Sequence, residues 1–190
     1  MDLKIIVSLV LLPLSGFLSG SLMFSFWFGL WRGKDIRKVG DGNPGAVNAF
    51  KSAGPLVGTL GLLFDFLKGA LPVTFGYWYL HISGIALTNL IVAPVLGHAF
   101  SPWLRFRGGK ALAVTFGVWS GVTLYQVPVL MGATLFFSRF VLRIRQDEIC
   151  VLLALLAMMV FVILVYHSPP LTLAAILNAL IVAYKHRAEL

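Results

Sequence analysis

The chain has 190 residues, of which 59% are hydrophobic and only 12% charged, with a formal net charge of +8 and a mean hydropathy of +0.92. A soluble domain is ordinarily about 45–50% apolar and about 25% charged. This chain therefore lacks the charge to cover a water-facing surface, which excludes a soluble globular enzyme, a disordered protein and a nucleic-acid-binding domain in solution.

At roughly 20 apolar residues per helical span, there is room for about six to eight spans, and residues 1–190 read as a single all-α transmembrane domain. Seven apolar segments can be drawn. The first, roughly 3–31, lacks a small-residue cleavage site and reads as a retained span. A loop over 32–53, rich in Gly, Asn and charge, leads to the second segment, 54–80, which Asp65 and Lys68 interrupt. The third covers about 86–101, and a basic loop follows over 102–110. The remaining segments are about 111–124, 127–142, 149–167 and 171–184, with Pro55, Pro102, Pro128, Pro169 and Pro170 as breakers near the borders. Segments three to five are short. Fourteen helical residues rise about 21 Å against about 30 Å of hydrocarbon. Helix ends that stop short predict a polar site at membrane depth, buried in protein or lining a wet cavity.

Seven spans put the termini on opposite sides. Arg32, Lys34, Arg37, Lys38, Lys51, Arg105, Arg107, Lys110, Arg139, Arg143, Arg145, Lys185 and Arg187 then share one side, 13 of the 15 Lys and Arg residues. Only Lys4 lies on the other, and Lys68 lies within a span. The positive-inside rule makes the basic side cytoplasmic, with the N-terminus outside and the C-terminus inside.

Two loops on that side carry phosphate-binding character. In the stretch from Gly40 to Gly54, Gly40, Gly42 and Gly45 allow left-handed turns and close backbone approach, Asn43 and Asn48 add polar groups, and Lys51 adds charge. In FRGGKALAV, Gly108 and Gly109 precede Lys110, which is expected to open an apolar helix whose N-terminus favours phosphate. The glycine spacing and the missing Ser or Thr after Lys110 exclude the nucleotide P-loop. Asp65 and Lys68 share a helix face and read as a structural ion pair. Arg139 and Arg143, four apart at a helix end, suit either phosphate or lipid headgroups. His98 reads as a hydrogen-bonding structural residue ahead of a base. No His, Cys, Asp or Glu cluster has zinc spacing and no Ser sits in a nucleophile elbow, so the chemistry is expected to rest on positioning and electrostatics.

Taken together, SGSLMFS at 19–25, DIRKVGDGNPGAVN at 35–48, DFLKG at 65–69, GHAFSPWLRFRGGK at 97–110 and KHR at 185–187 resemble the bacterial integral-membrane acyl-phosphate:glycerol-3-phosphate acyltransferases. The resemblance implies a seven-helix protein of the bacterial cytoplasmic membrane with its active site toward the cytoplasm. It implies acyl transfer from acyl phosphate to the 1-hydroxyl of glycerol-3-phosphate, giving lysophosphatidic acid and phosphate for phospholipid synthesis. It implies no coenzyme A, acyl carrier protein, metal or protein nucleophile, the acyl phosphate itself being able to take the hydroxyl proton. By position, Lys110, Asn43 and His186 are the expected catalytic residues. Gly40, Asp41, Gly42, Gly45, Asn48, Lys51, Gly108, Gly109, Arg139 and Arg143 are the expected phosphate ligands.

The departures fall on the same positions. Asp41 stands where the family commonly has Ser, Val47 where it has Thr, Lys51 where it has Arg and Val114 where it has Thr. Asp147 replaces a Ser, and Glu189 replaces the Asn of the tail motif. An ionised carboxylate only accepts hydrogen bonds and repels phosphate. At 4 Å and an effective dielectric of about 20 that repulsion is about 4 kcal/mol, more than the 0.5–1.5 kcal/mol of one neutral hydrogen bond. Pairing with Lys51, Arg143 or Lys185 would relieve it. Two rivals therefore stand: a diverged paralogue of the same fold with another acceptor or no catalysis, and an anion transporter, which should show basic residues on both faces.

Overall fold

The computed structural model describes residues 6–189, the side chain of Glu189 excepted; Lys4 and the Glu189 side chain lie outside the described residues. Among the described residues, each of the seven apolar segments is predominantly helical and no strand occurs. The helices are α1 (Leu12–Ser21), α2 (Phe24–Trp31), α3 (Ala46–Ala53), α4 (Pro55–Thr74), α5 (Gly84–Ala99), α6 (Leu112–Thr123), α7 (Gln126–Phe136), α8 (Asp147–Phe161) and α9 (Pro169–His186). Wide π-helical turns precede α1 and continue α4, α7 and α8. Four runs are long and apolar enough to cross a bilayer: Val7–Trp31, Pro55–Tyr79, Gly84–Leu104 and Asp147–Tyr166. Leu112–Thr123 and Gln126–Val141 are shorter. Leucines such as Leu14, Leu18, Leu71 and Leu156 stand exposed on the outer faces, as the lipid-facing side of an all-helical membrane protein requires.

Two borders differ from the sequence reading. The first segment is broken at Leu22, whose backbone turns extended at φ −65°, ψ 124°. The freed Leu22 carbonyl is not wasted in apolar surroundings, because Lys68 Nζ donates to it. The loop 32–53 is not all loop, since its second half is α3.

Close helix packing rests on glycine spacings that bring backbones together. Gly117 and Gly121 on α6 face α4: a Cβ on Gly121 would sit 3.0 Å from the Ala70 carbonyl oxygen, and one on Gly117 would strike that of Phe66. Gly20 on α1 meets the backbone of Pro94 on α5 in the same way. The main core gathers Leu90, Ile91, Val118, Trp119, Met131 and Met158 from α5 through α8. Between α4 and the α1–α2 break lies the Asp65–Lys68 pair at 2.6 Å, each side chain 2% exposed, with Ser25 Oγ donating to Asp65 at 2.6 Å. The pair expected from i,i+3 spacing is thus formed, and it fastens α4 to α1 and α2.

Candidate active site

The polar loops converge on one cavity of about 1130 Å3. Loop 40–51, the turn from His98 to Ala113, the junction of α7 with α8, and the end of α9 all reach it. Stretches separated by up to 145 residues of chain thereby share one end of the bundle.

Loop 40–48 is shaped by two left-handed glycines, Gly40 at φ 60° and Gly42 at φ 73°, a conformation costly for a residue with a Cβ. Between them Asp41 points at the second loop. Its Oδ1 accepts from Asn48 Nδ2 at 2.8 Å and from the Asn43 N–H at 3.1 Å. Its Oδ2 lies 2.7 Å from Lys110 Nζ. The Lys110 N–H in turn donates to Asn43 Oδ1 at 3.1 Å. Asp41, Asn43, Asn48 and Lys110 therefore form one bonded polar wall of the cavity. Burial works against ionisation of Asp41, but Lys110, the Asn43 N–H and the Asn48 amide outweigh it and bring the carboxyl down to about 2.

Lys110 does not open the helix. Ala111 intervenes in a left-handed conformation at φ 63°, and α6 begins at Leu112. The lysine is delivered instead by the double glycine. The Gly109 N–H donates to the His98 carbonyl at 3.0 Å. A Cβ on Gly109 would strike His98 Nε2, and one on Gly108 the His98 carbonyl. Gly108 and Gly109 thus serve close packing against the end of α5 and do not line the cavity. Gly40 and Gly42 likewise shape their loop from outside it, while Gly45 reaches it.

His98 is 4% exposed and lines the cavity, and its Nδ1 has no hydrogen-bond partner among the described residues. His186 is 5% exposed and also reaches the cavity. Its Nδ1 lies 2.8 Å from the Val182 carbonyl. A carbonyl only accepts, so Nδ1 carries the proton in that bond.

The arginine expectation needs correction. Arg139 lines the cavity, but its Nη1 donates to the Ile144 and Arg145 carbonyls at 3.1 and 2.6 Å and faces Asp147 at 3.5 Å. It ties the 142–146 loop to α8. Arg143 does not share its face: the helix ends before it, its φ is 57°, and it does not reach the cavity. Asp41 and Asp147 are paired, though with Lys110 and Arg139, neither of them a partner named for relief of the repulsion. Lys51, at the end of α3, lines the cavity without an ion pair among the described residues.

Lys185 was absent from the expected site. Its Nζ donates to the Ala99 and Gly108 carbonyls, at 3.0 Å each, and so braces the glycine pair that carries Lys110. Its place beside His186 in a basic tail was the available signal. Beside the polar wall, Leu62, Phe66, Phe116, Leu135, Phe136 and Phe140 add an apolar part to the cavity lining.

Known proteins resemble the chain over nearly its whole length. Residues 10–190 match the family model described as glycerol-3-phosphate acyltransferase. A glycerol-3-phosphate acyltransferase 1 of Thermotoga maritima is 36% identical over 92% of this chain and 92% of its own. A glycerol-3-phosphate acyltransferase of Idiomarina loihiensis is 34% identical over 95% and 90%. The crystal structure of PlsY, an integral membrane glycerol 3-phosphate acyltransferase in its glycerol 3-phosphate form, superposes with a TM-score of 0.87 at 28% identity, covering 95% of this chain and 89% of that one. Its lysophosphatidic acid form gives 0.86 at 27%. Matched across nearly its whole length in both sequence and fold, the chain belongs to the glycerol-3-phosphate acyltransferase family.

Proposed function

We infer that this chain transfers a fatty acyl group from acyl phosphate to the 1-hydroxyl of glycerol-3-phosphate, releasing lysophosphatidic acid and phosphate. The observation that carries this reading is one cavity lined both by the lysine-bearing polar wall and by a group of apolar side chains. Its volume of about 1130 Å3 lies just above the 300–1,000 Å3 common for ligand pockets, which suits a lipid chain beside a phosphate. Membership in the family and the ligand named in the PlsY structure support the acceptor.

The step balances without a protein nucleophile. The acceptor hydroxyl oxygen attacks the acyl carbonyl carbon, the bond from that carbon to the phosphate oxygen breaks, and phosphate leaves with the electron pair. The hydroxyl proton passes to a phosphate oxygen. Lys110 and Lys51 place positive charge where the leaving phosphate gains negative charge, and Asn43 and Asn48 set the loop that carries them. His186, which reaches the cavity, orients the attacking hydroxyl. The contribution is positioning plus preorganised charge. Thirteen of fifteen basic residues fall in the loops at this end and the C-terminal tail, which by the positive-inside rule supports a site facing the cytoplasm of a bacterial inner membrane, with seven crossings and the N-terminus outside.

A second reading, an altered acceptor, is favoured by one observation: a carboxylate already rests on Lys110. The test is turnover by the purified chain in lipid with palmitoyl phosphate, with and without glycerol-3-phosphate. Lysophosphatidic acid and phosphate should appear together and only with the acceptor, and Lys110→Ala should lose the reaction while remaining folded. Folded protein without acceptor-dependent turnover refutes the first reading and moves the weight to the second. Full activity in Lys110→Ala removes the lysine from the mechanism.

A further inference from the structure

The Asp41 carboxylate stands where a phosphate oxygen would have to bind Lys110. One oxygen is docked 2.7 Å from Lys110 Nζ. The other is held by its own loop, through Asn48 Nδ2 at 2.8 Å and the Asn43 N–H at 3.1 Å. Swinging the carboxylate away breaks both of those bonds. The lysine loop is tied as well, by the Lys110 N–H to Asn43 Oδ1 at 3.1 Å. The two charged groups therefore meet by construction. Neither is sealed: their side chains keep 20% and 32% of their surface exposed, and both line the cavity. An anion entering the cavity meets this pair from its open side. The pattern recurs at the α7–α8 junction, where Asp147 faces Arg139 at 3.5 Å.

We propose that Asp41 is an internal counter-ion that competes with substrate phosphate for Lys110 and so sets how weakly the site holds phosphate groups. This specificity-determining role rests on the acyl-phosphate reading above. A carboxylate has no proton to offer a phosphate, so it shares the lysine with the phosphate and repels it. The consequence is release. Both reactants and the leaving product carry phosphate, and affinity shared equally by ground and transition states lowers KM without raising kcat. A carboxylate that returns to the lysine as phosphate departs keeps the site from being trapped by its product.

Inorganic phosphate is the probe, titrated into the chain in phosphatidylcholine nanodiscs and followed by 31P NMR. Wild type is compared with Asp41→Asn, Asp41→Ser, Lys110→Ala and Asp41→Asn/Lys110→Ala. Asn keeps an acceptor for the Asn43 N–H, and Ser is a smaller neutral replacement, so the loop is tested with two different side chains. Size-exclusion profiles and thermal midpoints establish that each is folded. The expected result is binding at least tenfold tighter in both Asp41 variants, weaker binding in Lys110→Ala, and no effect of Asp41→Asn once Lys110 is gone. Equal or weaker phosphate binding in the folded Asp41 variants overturns the proposal and makes Asp41 a holder of Lys110. Tightening that persists without Lys110 overturns it too, since the competition would lie elsewhere. Phosphate binding indifferent to Lys110→Ala brings down the phosphate-site reading itself, which tells the two failures apart.

Discussion

Lys68→Met tests the polar knot under the active cavity. The substitution keeps side-chain length and removes the ammonium from a carboxylate only 2% exposed. Asp65 would retain only Ser25 Oγ, at 2.6 Å, and the Leu22 carbonyl at the α1–α2 break would lose its donor. Removing one partner of a buried ion pair costs about 3–5 kcal/mol. For a chain of 150–250 residues each kcal/mol moves the unfolding midpoint by about 2–4 °C, so a fall of about 6–20 °C is expected. The double variant Asp65→Leu/Lys68→Met separates the pair from its packing. Replacing a whole buried pair by apolar groups is often neutral or stabilising by about 1–4 kcal/mol, offset here by about 1–3 kcal/mol for the stranded Leu22 carbonyl. The double variant should therefore unfold close to wild type. The assay is thermal unfolding in detergent read by a thiol-reactive dye, because Cys150 is the one cysteine of the chain and is buried. A Lys68→Met midpoint within 2 °C of wild type, or a double variant as unstable as the single one, would refute the reasoning.

Lys185→Met removes two hydrogen bonds from a charged donor, to Ala99 and Gly108, each worth about 1.5–3 kcal/mol; KM for acyl phosphate should rise at least tenfold in steady-state kinetics, with Lys185→Arg recovering part of it. Gly117→Ala forces a Cβ into the Phe66 carbonyl, an overpacking cost of about 1–3 kcal/mol that thermal unfolding should show as a lower midpoint. Gly132→Ala meets nothing closer than Phe116 Cε1 at 4.0 Å and should hold or raise the midpoint, Ala being the better helix former by about 1 kcal/mol. Asp41 predicts an acid dependence. Its folded value, about 2, lies below the ordinary 3.8, so the stability it contributes is complete above the ordinary value and is lost as pH falls through the folded one. The midpoint difference between wild type and Asp41→Asn should stay constant from pH 7 to about 5 and shrink toward pH 2; a difference that already fades above pH 5 contradicts the assignment.

The membrane class followed from composition, because a chain with 12% charged residues cannot solvate a surface in water. The segment borders followed from prolines and polar loops, and the Asp65–Lys68 pair from helical i,i+3 spacing. Local signals of this kind act within one or two turns of chain, so the residues themselves report them. The break at Leu22 was not legible, since the stretch from 5 to 31 is uncharged and has no proline near the break, and the Lys68 ammonium that takes up the freed carbonyl lies 46 residues away.

The glycine loops pointed to one polar site, but their division of labour belonged to the tertiary structure. Gly40 and Gly42 turn their own loop, and Gly108 and Gly109 let theirs pack on His98. Arg139 and Arg143 looked equivalent by spacing until the helix end separated them and committed Arg139 to the carbonyls of Ile144 and Arg145. Which cation Asp41 meets was the question the sequence left most open. Lys110 lies 69 positions further along the chain, and no periodicity connects them. The bond from the Lys110 backbone to Asn43 closes the two loops on each other, while Asn48 holds Asp41 in place within its own loop. Chemical identity was thus written in the residue types and membrane placement in their pattern. The pairing of charges was decided by contacts across the fold, because an ion pair depends on a few ångströms that sequence distance does not measure.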